Sequence, residues 1–232
     1  MGLVGAADQA RLREAFAGMT RPVRLLFFTQ ALGCETCLQA RQILDELPVL
    51  SDRITIEEVN VVLDRDQAAR YGIDRVPAVA LLGGDDVDSR IRFLGAPSGY
   101  EFVSLVQAVR LVGGGESSLS AANRARVEAV DRPTSIHVFS TPTCPHCPRA
   151  VSLANEMAFA NPHITAYAVE TTEFPDLARQ YMVNGVPKTV VARGGEDEPA
   201  SPVVEILGAL PQDDFIAQAL GSPSWPATDA PT

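Results

Sequence analysis

Short apolar runs alternate with polar, periodic stretches along the chain, and their order predicts the elements. An amphipathic stretch over about 8–18 reads as a helix. Val-Arg-Leu-Leu-Phe-Phe-Thr (23–29) is short and continuously apolar, the signature of a buried strand. A helix follows from the segment at 34–37 to about Leu47, with Pro48 beyond it. Residues Ile54–Val61 form a second predicted strand and about 65–71 a short helix. Ala-Val-Ala-Leu-Leu (78–82) and Ser-Arg-Ile-Arg-Phe-Leu (89–94), joined by a turn rich in Gly and Asp, predict an antiparallel hairpin. A helix over about 99–111 closes the series. The same order then returns: strand 135–140, helix 145–160, strand 163–169, helix 174–182, strands 188–192 and 202–207, and helix 211–220. A β-α-β-α-β-β-α order implies a mixed sheet with helices on both faces.

The return is a true repeat. Cys34 and Cys144 lie 110 residues apart, and so do Cys37 and Cys147, Tyr71 and Tyr181, and the dipeptides Val76-Pro77 and Val186-Pro187. Phe-Leu-Gly-Ala at 93–96 matches Ile-Leu-Gly-Ala at 206–209 with an offset of 113, which Phe102 and Phe215 keep. A three-residue insertion within 193–199 accounts for the change. A period of this length is one domain duplicated, not a solenoid unit. The expected division is residues 1–113 and 114–221, joined at Gly113-Gly114-Gly115, with 222–232 as a disordered tail that contains Trp225.

Composition narrows the function classes. The chain has 232 residues, 46% of them hydrophobic, so each half can bury a core without cysteine staples. A formal net charge of −10 lacks the basic footprint of a nucleic-acid binder and offers no attraction to an anionic membrane. No apolar run approaches the ~18 residues of a spanning helix. The amino terminus has neither the basic start nor the apolar run of a secretory signal, so the expected compartment is the cytoplasm.

The four cysteines form two Cys-x-x-Cys pairs, Cys34-Glu35-Thr36-Cys37 and Cys144-Pro145-His146-Cys147. In a cytoplasmic chain such pairs are catalytic or metal-binding more often than structural. Each follows a predicted buried strand and opens a helix. Residues i and i+3 share a helix face, so the two sulfurs can meet. Helix N-terminal N–H groups favour an anion there, which makes Cys34 and Cys144 the candidate nucleophiles and Cys37 and Cys147 the resolving thiols. Pro145 fits the first helical position, where its missing N–H costs nothing. Each Val-Pro precedes a strand, and a cis bond would create a tight bend there. The backbone of Val76 or Val186 could then pair with an extended peptide beside the sulfurs. A zinc site built from two Cys-x-x-Cys arms remains the alternative, although a domain's worth of elements lies between the arms. Inert structural thiols or disulfides are the other alternative.

Cys-x-x-Cys at a strand-to-helix turn, then Val-Pro, a hairpin and a helix, resembles the thioredoxin fold. Two such units in one chain resemble the glutaredoxin-like protein disulfide oxidoreductases, over about residues 5–220. The resemblance implies two tandem thioredoxin folds, each a mixed central sheet with helices on both faces. It implies dithiol–disulfide exchange on protein substrates, reactive Cys34, Cys37, Cys144 and Cys147, and cis Pro77 and Pro187. No organic cofactor or metal is expected, since the redox-active disulfides carry the electrons. The expected partners are protein thiols and disulfides, with a flavin-dependent thioredoxin-reductase-like enzyme or a peroxiredoxin in an electron-relay alternative. One departure stands out. Thioredoxins keep a buried acid six residues before the first cysteine, where this chain has Phe28 and Val138, so a proton carrier must come from elsewhere or from water.

The remaining polar residues divide by role. Glu35 opposes a thiolate at Cys34, whereas His146 offers Cys144 a donor and, when protonated, a positive charge. Pro148 disfavours helical geometry at Cys147 and predicts a loosened turn. His137, the repeat partner of Phe27, is expected to fill strand space, His163 to lie at the surface, and Tyr71 and Tyr181 to pack at helix ends. Lys188 follows Pro187 and could approach the second centre. The two centres are therefore expected to differ, the second having the lower thiol pKa and the more oxidising potential. Thiolate absorbance titration of single-centre variants is expected to show Cys144 ionising at lower pH than Cys34; the reverse order contradicts this.

Overall fold

A computed structural model describes residues 5–194 and 204–221. The first half runs α1 (Ala6–Ala17), β1 (Val23–Thr29), α2 (Cys37–Asp45), β2 (Ile54–Asn60), α3 (Arg65–Arg70), β3 (Ala78–Leu82), β4 (Asp88–Leu94) and α4 (Tyr100–Val112). The second runs α5 (Ala121–Glu128), β5 (Thr134–Ser140), α6 (Cys147–Ala160), β6 (Ile164–Glu170), α7 (Pro175–Gln180), β7 (Lys188–Arg193), β8 (Val204–Leu207) and α8 (Gln212–Leu220). The tail at 222–232, most of the insertion at 193–199 and the first two residues of the strand expected at 202–207 lie outside the described residues.

The strands join in one eight-stranded sheet of order β2-β1-β3-β4-β6-β5-β7-β8. Within each half the pattern is the same. β1 pairs parallel to β2 and antiparallel to β3, and β5 pairs parallel to β6 and antiparallel to β7. The halves meet where β4 runs parallel to β6, with Ile91 opposite Ala166 and Leu94 opposite Val169. Strand alternation sorts the apolar residues to two faces. Leu25 and Phe27 join the core beneath α2, α4, α6 and α8, while Leu26 and Phe28 join the smaller core beneath α3 and α7. The continuous apolar character of 23–29 thus reflects burial on both faces.

Two local readings need correction. The sequence predicts no element between the halves, yet α5 occupies Ala121–Glu128. Its composition is polar, with only Asn123 and Val127 buried, so it carries little apolar periodicity. What starts it is a cap: the Ser120 hydroxyl oxygen accepts a hydrogen bond from Asn123 N at 3.2 Å. The second correction concerns α6, which begins at Cys147 rather than 145. Pro145 therefore precedes the helix, and Pro148 occupies its first turn. Backbone N–H groups of a first turn have no partner inside the helix, so Pro148 forfeits nothing there. The turn is an ordinary helix start instead of a loosened one.

Side chains and backbone from both halves close the junction. Arg90 donates to the Ala158 carbonyl near the end of α6, at 2.8 Å from Nη2 and 3.2 Å from Nε. Tyr100 N donates to the Pro142 carbonyl at 2.9 Å. Gly99 adopts φ 54°, and a Cβ there would overlap the Pro142 carbonyl oxygen, so this approach requires glycine.

Candidate redox site

β1, β3, β4, β6 and β5 are consecutive in the sheet, and β1 and β5 run in the same direction. Both cysteine turns therefore rise from the same end of the sheet. Four strand spacings separate them, roughly 19 Å at ~4.8 Å per spacing. The four sulfurs do not converge on one point. They form two disulfides, Cys34–Cys37 and Cys144–Cys147, each with a Cα–Cα distance of 5.5 Å.

The two centres sit differently in their surroundings. Cys144 and Cys147 are both buried, whereas Cys34 is half-buried beside a buried Cys37. At the second centre Cys147 N donates to Cys144 Sγ at 3.1 Å, so the first N–H of α6 points at the candidate nucleophile. Among the described residues the first centre has no such bond. His146 and Pro145 are exposed on the turn, as Glu35 is on the other. The His146 side chain caps nothing in α6. Leu32, Leu38, Val62 and Leu63 are exposed around the first centre's end of the sheet.

Both Val-Pro bonds, Val76-Pro77 and Val186-Pro187, are cis. They lie beside the cysteine turns because Ala78 pairs with Phe28 and Lys188 with Phe139, near the ends of β1 and β5. Pro77 and Pro187 carbonyls are taken by Gly95 N and Gly208 N, each at 2.9 Å. The backbone N–H and C=O groups of Val76 and Val186 take no hydrogen bond among the described residues. Those groups are left to pair with water or with another backbone.

Phe28 and Val138 are buried and apolar, so neither position supplies a proton. The structure places an acid elsewhere that the sequence reading missed. Glu101, in the first turn of α4, is only 6% exposed at the junction of the halves. Ser140 Oγ, at the end of β5, donates to Glu101 Oε1 at 2.5 Å, while Oε2 has no partner. Burial pushes the Glu101 carboxyl up to about 8; the Ser140 hydrogen bond opposes this, and Glu170 and Glu173 reinforce it. Its neighbour Tyr100 donates from its backbone N to Pro142, two residues before Cys144, so Glu101 stands against the second half although the first half carries it. The repeat held a hint. The equivalent position, Asp214, is also acidic, but it is exposed.

The other polar residues stay away from the sulfurs. His137 is stacked on Tyr167 at 4.5 Å between centroids and lies 5.9 Å from Tyr181. Burial and then Arg75 depress its pKa to about 4, against the pull of Asp74. Lys188 is buried with Nζ 2.7 Å from the Tyr181 carbonyl and 3.0 Å from Glu205, so it closes the end of α7 and does not reach the second centre. Tyr71 and Tyr181 are the C-cap residues of α3 and α7. His163 is exposed, and Trp225 lies outside the described residues.

Two disulfides at strand-to-helix turns, each beside a cis Val-Pro segment, define a thiol–disulfide oxidoreductase of thioredoxin fold. A family model described as "Thioredoxin domain" matches residues 134–220. The alkyl hydroperoxide reductase protein AhpF from Xanthomonas campestris pv. phaseoli is 30% identical over 194 residues, 83% of this chain and 34% of that protein. This chain thus spans about a third of the length of such curated relatives. The solved structure of the Enterococcus faecalis (V583) AhpF, a C503A mutant, superimposes with a TM-score of 0.82 at 30% identity, covering 92% of this chain and 97% of that one. A protein disulfide oxidoreductase from Aeropyrum pernix K1 gives 0.81 at 27% identity, covering 93% and 92%. The chain belongs to the family of tandem thioredoxin-fold disulfide oxidoreductases that these proteins represent. No helix among the described residues is long and apolar enough to cross a membrane.

The buried acid makes a prediction about stability. A carboxyl whose pKa is raised on folding stabilises the protein below its unfolded pKa, and that contribution is lost as pH rises through about 8. Glu101→Gln keeps an acceptor for Ser140 and cannot ionise. Denaturant unfolding is expected to show the variant more stable than the parent at pH 9, with a shallower decline between pH 5 and 9. Parallel curves for the two proteins contradict the burial of an ionisable Glu101.

Proposed function

We propose that this protein exchanges disulfides with cysteine-bearing polypeptides, and that its two disulfides are its only electron carriers, without organic cofactor or metal. The observation that carries the reading is the open backbone of Val76 and Val186 beside the two disulfides. An extended segment paired there would bring its own sulfur to Cys34 or Cys144. In the reducing direction the Cys144 thiolate attacks a substrate disulfide, forming a mixed disulfide and expelling one substrate thiolate. Cys147 then attacks Cys144, re-forming the internal disulfide and releasing the second thiolate. Two electrons pass to the substrate. Glu101 takes the proton that Cys147 must lose, across the junction with Ser140. In the oxidising direction a substrate dithiol reduces the disulfide by the same steps reversed, and Glu101 returns the proton. Cys34 and Cys37 act alike at the first centre, where the exposed leucines favour an apolar segment.

A second reading has its own support, the 30% identity to an alkyl hydroperoxide reductase protein, AhpF, over most of this chain. In it the chain takes electrons from a flavin-dependent disulfide reductase and hands them to a thiol peroxidase. Cytoplasmic residence, where Cys-x-x-Cys pairs are catalytic more often than structural, suits either reading.

Turbidity from insulin reduction by dithiothreitol is expected to fall when Cys34→Ser or Cys144→Ser is introduced, and to drop to the uncatalysed rate when both are. Unchanged catalysis in both single variants overturns the reading. Catalysis by the isolated chain with insulin but no peroxidase turnover, when supplied with a flavin reductase and a peroxiredoxin, removes the relay. Stoichiometric zinc whose chelation unfolds the protein would replace both readings with a metal scaffold.

A further inference from the structure

Thr36 lies inside the first cysteine turn and is the N-cap residue of α2, yet its side chain does not cap that helix. Its hydroxyl donates instead to Glu173 Oε2, which comes from the second half of the chain. Glu173 Oε1 accepts from Ala96 N at 2.8 Å, in the connection between β4 and α4. Glu173 N in turn donates to Glu170 Oε2 at 2.6 Å, which fixes the residue's own backbone. Both oxygens of Glu173 are thus aimed at the first half, one of them at the redox turn. The repeat shows that this is particular to one centre. The counterpart of Thr36 is the exposed His146, and the counterpart of Glu173 is the exposed Leu63.

We propose that Glu173 is a positioning residue for the first centre, a carboxylate lent across the junction that holds the Cys34–Cys37 turn and opposes a thiolate there. This rests on the reading of that centre as redox-active. Negative charge lies on both sides of the position: Glu35 is on the turn itself and Glu170 stands behind Glu173, while Glu101 is neutral near pH 7 and the cation Arg75 is bound to Asp74 and Asp176. A like charge close to a thiol disfavours its ionised form. Since a stabilised thiolate is what makes a dithiol favourable relative to its disulfide, Glu173 shifts the first centre toward the disulfide, that is, toward the more reducing side.

The test uses the full chain with Cys144→Ser and Cys147→Ser, so that the first centre alone reports. The pH dependence of Cys34 alkylation by iodoacetamide and the equilibrium with glutathione are measured in the parent, Glu173→Gln and Glu173→Asp. Gln keeps an acceptor for Thr36 and Ala96 but removes the charge. It is expected to raise the Cys34 thiolate fraction near neutral pH by about tenfold, equivalent to one unit of thiol pKa, and to move the glutathione equilibrium toward the dithiol in step. Asp keeps the charge and is expected to stay near the parent. Superimposable profiles for parent and Gln overturn the proposal, as does an Asp profile shifted as far as Gln, which would make the effect one of shape alone. A parent centre that does not exchange with glutathione at all would instead overturn the underlying redox reading.

Discussion

The pairing of β4 with β6 is the constraint on which the rest depends. Each half has a sheet of its own, and a sheet edge left open exposes unpaired backbone groups. Joining the edges in parallel satisfies those groups and also sets direction: β1 and β5 point the same way, so both disulfides open at one end of one sheet. The same junction brings Gly99, Tyr100 and Glu101 against the approach to Cys144, and Glu173 against the turn of Cys34. Each cysteine turn is thus contacted by the other half.

That exchange explains why a duplicated sequence yields two unlike sites. A position in the first half and its repeat share backbone but not surroundings, because the first half covers the second half's β6 side while, among the described residues, no strand pairs with β2 on its outer side. Glu101 is buried and its counterpart Asp214 is not; Glu173 has two partners and its counterpart Leu63 faces solvent. The repeats also solve one local task with different residues. The carbonyl at the end of α3, Tyr71 O, accepts from Arg92 Nε at 3.0 Å, and its equivalent, Tyr181 O, accepts from Lys188 Nζ at 2.7 Å. Arg92 is on β4, where the second half has Glu205; the cation moved to β7, and Glu205 now pairs with it.

Much of this was legible in the sequence, for physical reasons. The strands of both halves are buried on one or two faces and read as apolar runs; the cysteine turns and Val-Pro pairs fall at fixed distances from them. The junction was not legible, since edge pairing between two complete sheets leaves no periodic signal. Glu101 and Glu173 were missed for the same cause: an acid's importance here comes from what covers it. α5 was missed because a capped polar helix needs almost no apolar stripe. The start of α6 was misplaced because two prolines, Pro145 and Pro148, compete for one helix start, and only the second lies within it.

Two centres unlike in burial, charge and hydrogen bonding should hold electrons with unlike strength. Equilibrating the full chain over a range of glutathione redox poise and counting free thiols at each pair by peptide mass spectrometry measures this directly. Two separate reversible two-electron transitions are predicted, with Cys144–Cys147 reduced at the more oxidising poise and Cys34–Cys37 at the more reducing one. One shared transition, the opposite order, or a pair that stays oxidised throughout would contradict it.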